Sequence, residues 1–260
     1  MSNLERVYRA EGVVLRRRDF GEADRLTTIY TKNLGKLRLV AKGVRKPRSR
    51  KSGHLEPFTR VKLLIARGRN LDIITQAESI ETYPNILSDL ITLGHASYIV
   101  ELLDRFSVEE REDNQELYNL LLSSLDRLSS AEEKPWAVTL FFELRLLEFA
   151  GYRPEFFECV HCAEKIEALD QYFSFQLGGV VCPRGRQSQI DSVSLSLLAL
   201  KVLRFYQRNR YETAAQPRIE SKIADEVGRL MESYLSHILE GRLNSPVFLR
   251  RVQRLEKWRV

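Results

Sequence analysis

Residues 10–41 read AEGVVLRRRDFGEADRLTTIYTKNLGKLRLVA. Three runs in this stretch, Ala10 to Arg17, Leu26 to Thr31 and Lys36 to Ala41, are short and rich in β-branched residues, and turn chemistry separates them. That spacing predicts strands rather than helices, because no apolar face recurs at three and four. Thr59 to Arg67 and Leu71 to Ser79 repeat the pattern, and Asn33-Leu-Gly35 and Arg67-Gly-Arg-Asn70 read as hairpin turns. Five short antiparallel strands within about 80 residues, with the longest interruption after the third, fit a small closed barrel. The five-stranded OB-fold is the common nucleic-acid-binding version, and small barrels of SH3-like topology fit the same spacing.

Beyond Tyr83-Pro84 the period becomes helical. Leu87, Leu90, Leu93, Ala96, Ile99, Val100, Leu102 and Leu103 recur at three and four, followed by Leu117, Leu120, Leu121, Leu125 and Leu128. A further helix is predicted from Trp136 to Ala150, with Gly151 as its C-cap. Residues 152–190 form a short irregular insert containing the cysteines. Three more helices are expected near Ser194 to Arg208, Ile219 to Leu239 and Pro246 to Trp258, the last with Ser245 as N-cap and Pro246 at its first position. The expected organisation is therefore an α+β multidomain chain. Residues 1–82 form an OB-fold β-barrel, 83–151 with 191–260 an α-helical domain, and 152–190 a zinc-ribbon-like insert.

Charge is distributed unevenly. The first 80 residues hold 19 Lys and Arg against 8 Asp and Glu, whereas the rest of the chain is net acidic. Between Asp24 and Glu56 there is no acidic residue, yet ten cations lie there: Arg25, Lys32, Lys36, Arg38, Lys42, Arg45, Lys46, Arg48, Arg50 and Lys51. Six of them crowd into Lys42 to Lys51, where Gly43, Pro47, Ser49 and Gly53 argue for a mobile loop. A basic excess on that scale selects a polyanion, and nucleic acid gains affinity from the counterions its phosphates release. Stacking on single strands also calls for aromatic surfaces. Of Tyr8, Phe20, Tyr30 and Phe58, the sequence places Phe20 in a polar turn as the exposed one and favours the barrel core for the others. No clustered aromatic signature, recognition helix or zinc-finger spacing supports base-specific readout.

Several enzyme classes are excluded by their motifs. The only Gly-Lys pair, Gly35-Lys36, lacks the rest of a P-loop, and neither H-E-x-x-H nor G-x-S-x-G occurs. His54, His95, His161 and His237 have no catalytic constellation around them; His95 and His237 read as partly buried structural residues. The acid pairs Glu109-Glu110 and Glu132-Glu133 fall in polar breaks. Cys159-Val-His-Cys162 followed by Cys182 begins a zinc-ribbon spacing whose fourth ligand would fall at position 185, which is Gly185. Cys159, Cys162 and Cys182 therefore leave tetrahedral zinc one donor short, and no metal ligand is assigned. His161, between two of the cysteines, is expected to point away from such a metal. Three cysteines in a chain this long make no disulfide framework, and the N-terminus lacks the apolar core of a signal peptide. A cytoplasmic protein without a transmembrane helix is expected.

Glu11-Gly-Val-Val-Leu15, Phe20-Gly-Glu-Ala-Asp24, Thr31 with Gly35-Lys36, Ala41-Lys-Gly43, Ser49 and Leu55-Glu-Pro-Phe58 together resemble the N-terminal domain of the bacterial RecO family of DNA repair proteins. Tyr98-Ile-Val-Glu-Leu-Leu103, Phe142-Glu-Leu-Arg-Leu-Leu147, Gly151-Tyr-Arg-Pro154, the Cys-x-x-Cys and Gly178-Gly-Val-Val-Cys182 follow in the order of that family. The ordered set carries the resemblance, over roughly residues 8–206; no single motif is specific.

The resemblance implies a recombination mediator that binds single- and double-stranded DNA and anneals complementary strands. It implies association with RecR and with the C-terminal tail of single-stranded DNA-binding protein, and help in loading RecA onto coated gaps, with no nucleotide cofactor and a bacterial, nucleoid-associated location. Many members carry four cysteines, so Gly185 keeps the zinc site from carrying over unaltered. The residues expected to contact DNA are Arg16, Arg17, Arg18, Arg25, Lys36, Arg38, Lys42, Arg45, Lys46, Arg48, Arg50 and Lys51. Strand alternation means that Arg16 to Arg18 cannot all face one side. The same charge pattern would serve an RNA-binding or ribosome-associated module, or a scaffold for acidic protein tails.

Overall fold

The computed structural model describes residues 6–108, 115–188 and 191–257. Glu109, Glu110 and Trp258 lie outside the described residues. Two compact units divide the chain, Met1–Ser130 and Ala131–Val260.

The first unit opens with five strands: β1 Val7–Phe20, β2 Asp24–Thr31, β3 Gly35–Ala41, β4 Arg60–Ala66 and β5 Asp72–Glu81. They close in the order β1-β2-β3-β5-β4, with β3 and β5 parallel and every other pair antiparallel. This is the OB-fold order, and it removes the sheet edges. Closure depends on β1 being long enough to pair with two neighbours. Its first half runs beside β4 and its second half beside β2.

A register shift between Val14 and Arg16 explains why Val13, Val14 and Leu15 are all buried, against simple alternation. The extra residue bends the strand from one partner to the other. Gly12 sits where β1 crosses most closely over β2. A Cβ there would lie 2.6 Å from Ile29 Cγ2 and 2.7 Å from the Tyr30 carbonyl, so only hydrogen fits.

Val14, Ile29, Leu37, Leu39, Val61, Leu63, Ile65 and Ile74 fill the barrel, and Val44 and Leu55 from the long β3–β4 connection join them. The helices α1 Pro84–Ser88, α2 Leu90–Phe106 and α3 Gln115–Ser129 pack on one another and complete this unit. The sequence period across Leu87 and Leu90 is interrupted at Asp89, whose carboxylate caps α2 by accepting from the Thr92 amide. Both leucines are exposed. Because α2 also packs on β1, the barrel and these three helices together form the compact unit that ends at Ser130.

The second unit contains α4 Pro135–Phe149, a three-stranded sheet, the short α5 Pro183–Gln187, and α6 Leu197–Arg208, α8 Ser221–Ile238 and α9 Ser245–Lys257; a single turn of helix, α7 Tyr211–Ala214, links α6 and α8. Gly151, at φ +79°, ends α4 as its sequence position predicts. The sheet, in the order β7-β6-β8, comprises β6 Gln171–Ser174, β7 Gly179–Val181 and β8 Val193–Leu195. The residues expected to begin a helix at Ser194 instead form β8, and α6 starts at Leu197, capped by the Ser196 hydroxyl. Ser245 is the first residue of α9 rather than its cap. Phe173 anchors the core, its ring 6.0 Å from Phe156 and edge-on to Tyr234 at 5.3 Å. No helix among the described residues is long and apolar enough to cross a membrane.

Candidate nucleic-acid interface

The basic stretch after β3 is a chain of turns pinned to the β1–β2 turn. The Gly43 amide donates to Asp24 Oδ1 at 2.7 Å and the Arg45 amide to the Ala23 carbonyl at 2.9 Å. Internal turns follow, from Lys46 to Gly43 and from Ser49 to Lys46, before a short 3-10 helix at Ser52–Leu55. His54 ties that helix to β5, its Nδ1 accepting from the Ser79 amide at 3.2 Å. With Val44 fully buried in the barrel core, the connection is a projection of successive turns anchored at its base.

The twelve sequence-selected cations separate into groups. Arg18, Lys42, Lys46, Arg48 and Arg50 are exposed and form no ion pair among the described residues. Arg16 is also exposed, with its Nε 3.0 Å from Asp104 Oδ2, and Arg45 reaches Asp19 at 3.4 Å.

The others are engaged within the fold. Arg17 pairs with Glu56, and Arg25 lies between Asp19 at 3.5 Å and Glu56 at 3.8 Å. Lys36 is buried against Asp104. Lys51 donates to the Ile74 carbonyl at 3.0 Å, and burial holds its ammonium below the usual lysine pKa despite the attraction of Asp24. Arg38 is half-buried. Alternation works on β1 as expected: Arg16 and Arg18 emerge on one side and Arg17 turns to the other.

The outer face of the β2–β3 hairpin differs from a positive open sheet. Leu37, Leu39 and Ala41 point into the barrel, so Lys36, Arg38 and Val40 point out; yet Lys36 and Val40 are buried, as are Thr28 and Tyr30 on β2. Among the twelve selected cations, those left free therefore concentrate on the connection and the β1 end, not across the β2–β3 hairpin. Of the four aromatics, Tyr30 is buried on the outer face of the hairpin rather than in the barrel core, Phe58 is buried, and Phe20 is exposed, at the end of β1 rather than in a turn. Tyr8 is half-buried, bonded to Asp72 at 2.7 Å and covered by Arg67 at 5.0 Å.

Sequence reasoning read Arg67 to Asn70 only as a turn. It is the β4–β5 loop, which in OB-folds faces bound polymers, and it exposes Arg67 and Arg69. The OB-fold strand order, once accepted, is the signal that points to them.

Among the histidines, His95 is buried, and that burial lowers its pKa to about 4; His237 is exposed rather than partly buried. In the second unit the thiol sulfurs of Cys159, Cys162 and Cys182 lie within 4.8 Å of one another. The Cys182 amide donates to Cys159 Sγ and the Gly185 amide to Cys182 Sγ, both at 3.3 Å. Burial raises the Cys159 pKa, but the backbone N–H groups of Cys182, Cys162 and His161 outweigh it and bring the thiol down to about 7. The three sulfurs could hold a metal ion, while position 185 offers no side chain.

A closed barrel of this strand order defines an OB-fold module, here bearing a pinned cationic projection. The sequence matches Recombination protein O N terminal over residues 1–83 and Recombination protein O C terminal over residues 87–246. DNA repair protein RecO of Roseiflexus sp. (strain RS-1) is 39% identical over 251 residues, covering 96% of this chain and 88% of the relative. The protein of the same name from Dehalococcoides mccartyi (strain ATCC BAA-2266 / KCTC 15142 / 195) is 36% identical over 233 residues, 90% of this chain and 91% of its own length. That from Bifidobacterium adolescentis is 43% identical over 190 residues, covering 72% and 77%. The chain belongs to the RecO family, whose name carries a role in DNA repair and recombination.

Proposed function

We propose that this protein is a recombination mediator that grips DNA by its phosphates and anneals complementary strands. The observation that carries the reading is the projection of residues 42–50, where Lys42, Lys46, Arg48 and Arg50 stand exposed without ion pairs among the described residues on a base fixed by Val44 and Asp24. Such a surface binds backbone regardless of sequence, and every cation seated on a phosphate releases a counterion. Pairing of two strands is slowed by their mutual repulsion. Cations that hold and screen both phosphate chains lower that barrier without covalent chemistry, so neither a nucleotide nor a catalytic cofactor enters the mechanism.

In the cell this activity would serve gaps coated with single-stranded DNA-binding protein, in the cytoplasm and about the nucleoid. RecR and the C-terminal tail of the coating protein are the proposed docking partners, with RecA loading as the outcome. Cys159, Cys162 and Cys182 supply three of the four donors that a structural zinc takes, and position 185 adds none, so no metal ligand is assigned.

The test is DNA binding by a variant with Arg45, Lys46, Arg48 and Arg50 all changed to Ala. At about 0.7 counterions per contact, four lost contacts flatten the log-affinity against log-salt slope for single strands by about 3. Unchanged affinity and slope would remove the projection from the site.

A further inference from the structure

A second cluster of exposed cations lies at the other end of β2. Antiparallel pairing sets Glu11 of β1 opposite Lys62 of β4, and the Lys32 amide continues the β1–β2 ladder by donating to the Glu11 carbonyl. Opposed residues share a face, so Lys62, Glu11 and Lys32 form one row across three strands, with Arg9 diagonal to Lys62. Two carboxylates share this face: Glu78 of β5 stands opposite Lys62 on its far side from the pocket, and Glu11 is engaged, its Oε1 accepting from Arg60 Nη2 at 2.7 Å and Nε at 3.0 Å. Arg9, Lys32 and Lys62 are exposed and form no ion pair among the described residues.

They surround a pocket of about 360 Å³ that also takes in Asn33 and the exposed Leu34. The Asn33-Leu34 turn is preformed, since the Thr31 hydroxyl accepts from the Leu34 amide and donates to the Gly35 carbonyl. Three exposed cations outside any ion pair among the described residues, an amide and an apolar wall match a nucleotide unit, with its phosphate among the cations and its base or sugar against Leu34.

We propose that this pocket is a second phosphate-binding site for a nucleic-acid strand, separate from the 42–50 projection. β2 starts at Asp24, where the projection is pinned, and ends at Thr31 beside the pocket; at 3.3 Å per residue the two sites stand about 23 Å apart. One barrel thus offers two grips rather than one enlarged patch. Resting on the annealing reading, the pocket gives it a division of labour: the projection takes one strand and the pocket holds the incoming one.

The experiment uses the full chain with donor- and acceptor-labelled oligonucleotides. Non-complementary pairs report co-binding by energy transfer, and complementary pairs report the annealing rate. Changing Arg9, Lys32 and Lys62 to Ala is expected to leave first-strand affinity within about twofold while abolishing co-binding and slowing annealing about tenfold, since the remaining contacts are those of the projection. Leu34→Asp, on an exposed turn, places a carboxylate at the pocket mouth and is expected to act in the same direction should the triple variant fail to fold.

Co-binding and annealing at the unaltered rate in both variants would overturn the second site and leave the projection standing. Loss of first-strand affinity equal to that of the projection variant would overturn the separation into two sites. Absence of DNA binding by the unaltered protein would overturn the pocket together with the annealing reading.

Discussion

Lys36 Nζ donates to the backbone carbonyl of Asp104 at 2.5 Å and lies 3.1 Å from its Oδ1, joining β3 to the last turn of α2. A lysine from the middle of the acid-free window is thus committed to holding the helices on the barrel. Arg16 completes the cluster from β1, with its Nε 3.0 Å from the other carboxylate oxygen.

Changing Lys36 to Met is therefore expected to lower stability, by about 1–3 kcal/mol for a lost charged hydrogen-bond set, without altering the salt dependence of DNA binding. Arg48→Ala with Arg50→Ala should do the converse, leaving the melting temperature alone and reducing the slope. Thermal melts and salt-titrated binding of the two variants, side by side, check the distinction.

Val44 is fully buried and fastens the cationic projection to the barrel core. Truncation to Ala is expected to cost about 1–2 kcal/mol and to release the projection. Trypsin, which cuts after Lys and Arg, should then cleave between Arg45 and Lys51 several times faster than in the unaltered protein. Equal cleavage rates would show that the turns alone hold the segment.

His95 is buried on α2, and desolvation lowers its pKa from 6.5 to about 4, opposed in part by Asp89. In that window the unfolded chain takes up a proton that the folded chain refuses, so stability rises with pH there. The contribution is fully present above about pH 6.5 and lost progressively down to about pH 4, amounting to about 3 kcal/mol. Denaturant unfolding of the His95→Gln variant across that range should show a shallower pH slope.

At Gly185 a Cβ would lie 2.8 Å from Val181 Cγ1 and 3.3 Å from His161 Cδ2. The ring of His161 leans over the place where a fourth cysteine side chain would start. Gly185→Cys alone is expected to gain little zinc affinity, whereas Gly185→Cys combined with His161→Ser should bind one zinc with four thiolates. Metal content after dialysis against a chelator, and the cobalt-substituted absorption spectrum, discriminate the two variants.

The barrel was legible because strand alternation and turn residues are local signals. All five strands fall within a few residues of their predicted limits, and β1 exceeds its expected length where the bulge after Val14 lets it serve two neighbours. The break at Asp89 and the conversion of Val193–Leu195 into a strand were hidden, since apolar period does not distinguish a helix from a capped break or a short buried strand. The pocket of Arg9, Lys32 and Lys62 was equally invisible, because cross-strand register assembles it from three separate segments.

The sequence by itself determined the barrel, the helical remainder, the family and the place along the chain where positive charge accumulates, all of which follow from residue order over short spans. Tertiary structure decided which of those charges remain free. Glu56 lies 39 residues from Arg17, and Asp104 lies 68 residues from Lys36. An ion pair forms wherever folding brings opposite charges within about 4 Å, so an acid-free window in sequence need not be an acid-free surface in space. Here the fold draws Arg17, Arg25, Lys36 and Lys51 into its own framework and leaves the 42–50 projection outward.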